Sequence, residues 1–402
     1  MFRKADFPIL NTKINGQPLV YFDNAGTTQK PQAVLKAEQD FYFKANANTH
    51  NSLNPLGEEA AQKYVAAQKT IADFIGASSD ELIFTSSATF GINMVARTWG
   101  EANLKAGDIV VLSIAEHHAN IVPWLQLKEK KKIILKYITL DKNGGLDIKV
   151  AERLLNNPRV KLLSFVSVSN VLGISNPVTK LIKLAKAKKI TTLLDISQSI
   201  MHAPLNAHKL GADFLVFSGH KLYGPMGIGV LYVRREILTQ LPVFFGGGGM
   251  IKSVKTNSFI PLDGAQRFAA GTPNVAGVIA LAAACQYLNK LGWTFIKTQE
   301  KALSLYLSQK LRTLDFIKIL GKTNKDIPLY SLTFSNLHPH DVADLLGEEG
   351  IITRAGHHCA EPLHDYYNLP ATLRLSLCFY NTKSEIDILM ASLKKIQARF
   401  TI

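Results

Sequence analysis

Phe214-Leu215-Val216-Phe217-Ser218-Gly219-His220-Lys221-Leu222-Tyr223-Gly224-Pro225 is the stretch on which the reading turns. Its first five residues are mostly apolar without alternation, which predicts a strand covered on both faces, the habit of a parallel sheet between helix layers. Lys221 follows at once, on a loop bounded by Gly219 and by Gly224-Pro225. A lysine that forms a Schiff base needs such a rigid, partly desolvated platform, so that its neutral amine is accessible. Ser218 and His220 beside it are able to hold a phosphate, and the glycines permit close backbone approach. Read blandly, the same residues are a surface turn with an incidental lysine.

Working outward, Leu82–Thr85, Ile109–Ser113, Ile133–Ile138, Leu162–Val168, Thr191–Asp195 and Gly229–Val233 share this texture. Between about residues 56 and 300 such runs alternate with helical patterns, which predicts an α/β fold with a mainly parallel central sheet flanked by helices. A helix is expected over Glu58–Ile75, stopped by Gly76. Four glycines at 246–249 lack the Gly-Lys-Ser/Thr of a phosphate loop, and with the polar stretch to Gly264 they read as a mobile loop. Beyond about Thr294 an amphipathic helix, short strands including Leu329–Phe334 and Leu373–Phe379, and a helix from Lys383 predict a smaller α+β domain. The expected division is 18–285 and 286–402, with segment 1–17 joining the smaller part.

The 402 residues contain 46 Lys+Arg and 31 Asp+Glu, and 46 − 31 gives +15. With 47% hydrophobic and 19% charged residues the chain buries a sizeable core, which excludes a disordered polyelectrolyte. The surplus charge raises a nucleic-acid-binding alternative. In the run from Lys180 to Lys189, however, Leu181, Leu184 and Ala185 recur at helical spacing, so the lysines read as a solvated helix face. No nucleic-acid or membrane partner is expected. Three scattered cysteines, Cys285, Cys359 and Cys378, do not make a disulfide framework or a four-ligand zinc site. The start, MFRKADFPIL, shows no secretory pattern, and a reducing, cytoplasmic setting is expected.

Upstream of the lysine, Thr192-Leu193-Leu194-Asp195-Ile196-Ser197-Gln198 ends an apolar strand in a carboxylate. In open α/β sheets ligands gather beyond the carboxyl ends of strands. There Asp195 would keep a pyridinium nitrogen protonated, strengthening the electron sink of pyridoxal phosphate; alone, it reads as a helix cap. In Arg354-Ala355-Gly356-His357-His358-Cys359-Ala360 the usual zinc spacings are absent, and no metal is expected. Electropositive surroundings suit Cys359 as a thiolate nucleophile. Cys285 reads as a helix core residue and Cys378 as part of a strand.

These segments, with Tyr21-Phe22-Asp23-Asn24-Ala25, Glu116-His117-His118-Ala119-Asn120-Ile121-Val122-Pro123-Trp124 and Tyr380-Asn381-Thr382, resemble the class V aminotransferase group of pyridoxal-phosphate enzymes, specifically group II cysteine desulfurases of the SUF iron–sulfur assembly type. The resemblance covers almost the whole chain. It implies the pyridoxal-phosphate transferase fold type I and conversion of L-cysteine to L-alanine, with sulfur passed to Cys359 as a persulfide. By it Lys221 is the Schiff-base lysine, Asp195 pairs with the pyridine nitrogen, Gln198 bonds the phenolic oxygen and His117 stacks on the ring. Thr89, Ser218 and His220 bind phosphate, joined from the other subunit of a homodimer by Thr272. Asn170, Arg354 and Arg374 serve the substrate carboxylate. A sulfur-acceptor or scaffold protein of iron–sulfur assembly is the implied partner. Ala88, Asn54 and Ala269 depart from the family pattern. Selenocysteine lyase, acting on L-selenocysteine, and another enzyme of the same fold group are the alternatives.

Overall fold

The computed structural model describes residues 4–49, 54–321 and 326–400. His50 to Leu53, within the segment leading to Asn54, and the first three residues of segment 1–17 lie outside that set.

Seven strands build the main sheet: β1 (Leu82–Thr85), β2 (Ile109–Ser113), β3 (Ile134–Ile138), β4 (Val160–Val166), β5 (Thr191–Asp195), β6 (Phe214–Ser218) and β7 (Gly229–Val233), in the order β1-β7-β6-β5-β4-β2-β3. Only β7 runs antiparallel to its neighbours. Separate clusters of buried side chains occupy its two faces, including Phe165, Leu194 and Phe217 on one and Leu162, Leu193 and Val216 on the other. That double burial is why the strands read as unbroken apolar runs. The carboxyl ends of β1, β2, β4, β5 and β6 therefore open on one edge, bringing Ser87, His117, Asn170, Asp195 and Lys221 to the same side of the sheet.

A second sheet, antiparallel throughout, consists of β8 (Ile317–Ile319), β9 (Leu329–Phe334), β10 (Arg354–Gly356) and β11 (Thr372–Ser376), in the order β8-β9-β11-β10. Its core, with Leu332, Leu373, Leu375 and Leu393, also takes in Val20 and Phe22. Val20–Tyr21 pairs in parallel with Ile351–Ile352. The chain's early and late motifs are thus knitted together: Asn24 Nδ2 donates to the Ser376 carbonyl (2.8 Å), Tyr380 donates its hydroxyl hydrogen to Asn24 Oδ1, and Asn381 Nδ2 donates to the Tyr21 carbonyl (3.1 Å).

The differences from the sequence reading are local. The expected strand to Val168 leaves the sheet after Val166, where Ser167 turns its amide onto the Asp195 carbonyl. The strand expected to Phe379 ends at Ser376, so Cys378 lies in a turn, its amide bonded to Asn381 Oδ1 (2.9 Å). The loop after the four glycines forms an exposed hairpin of Ile251–Lys255 against Ser258–Pro261. The helix expected from Glu58 begins at Pro55, because Asn54 caps it by accepting from the Gly57 amide at 2.8 Å. Among the described residues no single helix is long and apolar enough to cross a membrane.

Candidate active site

Lys221 closes a short 3-10 turn, Gly219–Lys221, directly after β6. Side chains are excluded on both sides of it: a Cβ on Gly219 would lie 2.7 Å from Ile228 Cγ2, and one on Gly224 2.8 Å from Leu281 Cδ1. Tyr223 takes a left-handed φ of 60° between them, its amide donating to Thr28 Oγ1 at 2.8 Å. The His220 carbonyl lies within 3.1 Å of the Thr27 and Thr28 hydroxyls and 3.0 Å of Lys30 Nζ. Burial, then Arg374 and Arg354, lower the pKa of Lys221, while Asp195 and Cys359 oppose the shift. Desolvation thus favours the free amine, the nucleophilic form.

Beyond this turn lies the start of helix α1 (Ala88–Val95), capped by Ser87. Ser218 Oγ accepts from the Ala88 amide at 2.9 Å. A side chain on Gly229 would meet the Ser87 backbone at 2.6 Å, so glycine admits the turn against β7. Ala88 itself is buried among Ile92, Val216 and Leu231, where its methyl packs, and Thr89 is exposed one residue on. The Nδ1 of His220 is buried without a partner, and burial, then Lys221 and Lys30, lower its pKa to about 4.

Asp195 is buried at the end of β5, one oxygen accepting from the Ser197 amide at 2.8 Å. Gln198 spends an amide hydrogen on the Ala25 carbonyl (2.8 Å), and its Oε1 is buried and unpartnered. His117 Nδ1 accepts from the Ala119 amide at 3.1 Å, so in the neutral ring Nε2 carries the hydrogen. Burial, followed by Lys221, lowers its pKa to about 3. Beside it, Glu116 is wholly buried, accepting from Ser113, from Asn120 Nδ2 (2.7 Å) and from the Val166 amide (2.9 Å). Desolvation raises its pKa to about 8, with Asp195 adding to the rise.

From the second sheet, Arg354 and Arg374 stand opposite each other across β10 and β11. Two like charges so paired call for an anion. The buried Arg374 has one in Asp23, whose Oδ1 accepts from Nη2 at 2.6 Å; Nη1 donates to the Asn170 carbonyl at 3.1 Å, and Nε has no partner. Asn170 Nδ2 in turn donates to the His358 carbonyl (2.8 Å), and its Oδ1 is also unpartnered. Cys359 is partly exposed, and its carbonyl accepts from the His118 amide at 2.6 Å. Among the described residues no group of three or more His, Cys, Asp or Glu is placed to hold a metal ion.

The fold therefore gathers Lys221, Asp195, His117, Cys359, Arg354 and Arg374 around one another, with Gln198, Asn170, Ser218 and His220 on the adjoining turns. Thr272 is not joined to them by any hydrogen bond within the chain; it is exposed in the loop before the helix Val275–Leu291. Asp23 and Glu116 stood in quoted motifs without a role; the ion pair with Arg374 marks the first and complete burial of a carboxyl the second. Gln198 Oε1, His220 Nδ1, Asn170 Oδ1 and Arg374 Nε are polar, buried and without a partner. Together with a desolvated amine and a carboxylate at the strand ends, they fit pyridoxal phosphate and a substrate carboxylate.

An apo cysteine desulfurase from Thermococcus onnurineus NA1 is similar in structure, with a TM-score of 0.93 and 35% identity over 98% of both chains. An S-sulfonic acid form of a cysteine desulfurase from Escherichia coli gives 0.90 and 33%, again over 98% of both. In sequence, the chain is 43% identical over 395 residues to a cysteine desulfurase of Klebsiella pneumoniae, covering 98% of this chain and 97% of that one. A Yersinia pestis cysteine desulfurase is 41% identical over 396 residues, with the same coverage. Residues 20–389 match the class V aminotransferase family, and with that match the chain belongs to this pyridoxal-phosphate-dependent family.

Proposed function

We propose that the protein is a cysteine desulfurase of the group II, SUF type, which converts L-cysteine to L-alanine and carries the sulfur as a persulfide on Cys359. The observation that supports it most directly is Cys359 and Lys221 in one electrostatic neighbourhood, with Arg354 and Arg374 beside them. Pyridoxal phosphate, when bound, supplies an aldehyde that bonds covalently to an amine and a ring that takes up an electron pair. Ser218, His220, Thr89 and the start of α1 would hold its phosphate, and Asp195, Gln198 and His117 its ring. Lys221 would supply the amine that holds the aldehyde and, when free, would take the substrate's Cα proton on Nζ. Arg374, oriented by Asp23, binds the substrate carboxylate with Asn170 and Arg354.

The sulfur step balances as follows. Cys359 Sγ, as thiolate, attacks the substrate sulfur; the new S–S bond forms as the Cβ–S bond breaks. The electron pair of that bond stays with the carbon skeleton, which takes up a proton. L-Cysteine and the Cys359 thiol thereby give L-alanine and the Cys359 persulfide.

We further propose a homodimer in which Thr272 reaches the phosphate of the partner's site, residues 18–285 and 286–402 as the two domains, and delivery of sulfur to a cytoplasmic iron–sulfur assembly protein. The exposed loop of Thr272, lacking a contact in its own chain's site, supports the first. Incubation with L-cysteine, with alanine and sulfide quantified with and without a thiol reductant, tests the activity. Reductant-stimulated alanine and a persulfide labelled at Cys359 are expected. Alanine released by Cys359→Ala at the parental rate would overturn the assignment.

A further inference from the structure

His358 and Cys359 are consecutive non-glycine residues in the left-handed region, at φ 52° and 56°. Side-chain-bearing residues keep that backbone only where their surroundings over-determine it. Here the Asn170 amide holds the His358 carbonyl and the His118 amide holds the Cys359 carbonyl. A third restraint comes from β11, and its polarity follows from one group to the next.

His364 Nδ1 lies 3.1 Å from the Ala360 carbonyl, which only accepts, so Nδ1 carries the hydrogen. In the neutral ring Nε2 is then bare, and at 3.1 Å from Thr372 Oγ1 it accepts the hydroxyl hydrogen. The hydroxyl having donated to His364, His358 Nε2, 2.9 Å from Oγ1 and 3.2 Å from the Thr372 carbonyl, is left to donate. The Ala360 carbonyl thus sets the His364 tautomer and the Thr372 hydroxyl bridges the two rings, so that through His364 it restrains the chain on the far side of Cys359 as well. Both rings are buried and Thr372 is wholly so. Burial keeps the two imidazoles neutral, which the chain of donors requires.

We propose that Thr372 is a positioning residue for sulfur transfer: its hydroxyl, bonded to His358 and His364 together, holds the left-handed turn that carries the Cys359 thiol. Thr372 touches neither substrate nor reacting atoms. The inference rests on the desulfurase reading and specifies what aligns its nucleophile.

Thr372→Val removes the hydroxyl at nearly constant shape, and Thr372→Ser keeps it. In Thr372→Val, KM for L-cysteine and the cysteine-induced change in cofactor absorbance stay within about twofold of the parent, while kcat for alanine falls about 10- to 100-fold, the scale of a small misplacement of a reacting group. Thr372→Ser stays within about threefold. In the cofactor-free protein, amide hydrogen exchange over residues 357–363 accelerates at least about tenfold in Thr372→Val alone, as expected for loss of a local restraint. The pair His358→Gln, whose amide nitrogen replaces Nε2, and His358→Leu carries the same test if Thr372→Val does not fold. A kcat for Thr372→Val within twofold of the parent, a matching loss in Thr372→Ser, or a KM that rises with the loss would overturn the proposal. A parental protein that makes no alanine would instead overturn the desulfurase reading, and hydrogen exchange would still judge the clamp.

Discussion

The turn that carries Lys221 and the turn that carries Cys359 meet from two different sheets, and they are made rigid in opposite ways. Around Lys221 the restraint is steric and backbone-based: Gly219 and Gly224 are packed too tightly for a side chain, and the left-handed Tyr223 is tied through its amide to Thr28. Around Cys359 glycine is absent from the left-handed pair, and the restraint comes from Asn170, His118, His358 and His364. The amine is desolvated, whereas the thiol stays partly exposed. On the proposed reading, a group that works on one substrate in place gains from burial, and one that gives its sulfur away has to be reachable.

The largest test of this contrast is Lys221→Ala, for which alanine formation falls about 10³-fold or more, the scale for removing one member of a catalytic unit. Cys359→Ala, in comparison, keeps the visible absorbance of the lysine-bound cofactor and loses the labelled persulfide. Alkylation by iodoacetamide at pH 7 separates the cysteines next: Cys359 reacts about 10²-fold or more faster than Cys285 and Cys378, whose thiols burial pushes up, as peptide mass spectrometry will read. Thr28→Val leaves the buried Tyr223 amide unbonded and lowers stability by about 1–3 kcal/mol in urea unfolding; an unchanged midpoint would place the rigidity of the lysine turn in its glycines alone.

The smallest effect is a slope with pH, and its sign differs from one group to another. His117, His220 and His358 stand at about 3, 4 and 2 against an ordinary 6.5, so the unfolded chain binds more protons below that pH and stability falls as the solution is acidified. Glu116 stands at about 8 against 4.5, so the folded protein holds the extra proton and stability falls as pH rises toward 8. Between pH 6.5 and 8 the histidine contribution fades, and the lowered pKa of buried Lys221 acts against that of Glu116. Glu116→Gln removes the downward contribution, so between pH 6.5 and 8 its urea midpoint climbs with pH relative to the parent's; a difference between the two that does not change with pH would refute the assignment.

The main sheet was legible because strands buried on both faces cannot alternate, and Lys221 and Asp195 were legible as candidates because ligands gather beyond strand ends in such sheets. The short second-sheet strands and the hairpin at 251–261 carry weaker patterns, and Cys378 lost its strand to a side-chain cap that local propensity does not encode. Cys359 was legible as a candidate nucleophile, but the route proposed for Thr372 was not, since it depends on tautomers and on residues that meet only in the fold. The Asp23–Arg374 pair was hidden for the same reason.

That pair has a temporal consequence. Asp23 and Arg374 are 351 positions apart, and at about 5–20 residues per second a ribosome needs about 18–70 s to travel between them. For that interval the nascent chain carries a carboxylate without its guanidinium, and the first sheet can form while the substrate end of the pocket is still unmade. The site is completed only as Tyr380 and Asn381 close over Asn24 and Tyr21, so a chain cut short of these residues lacks the closure even if it has made Lys221.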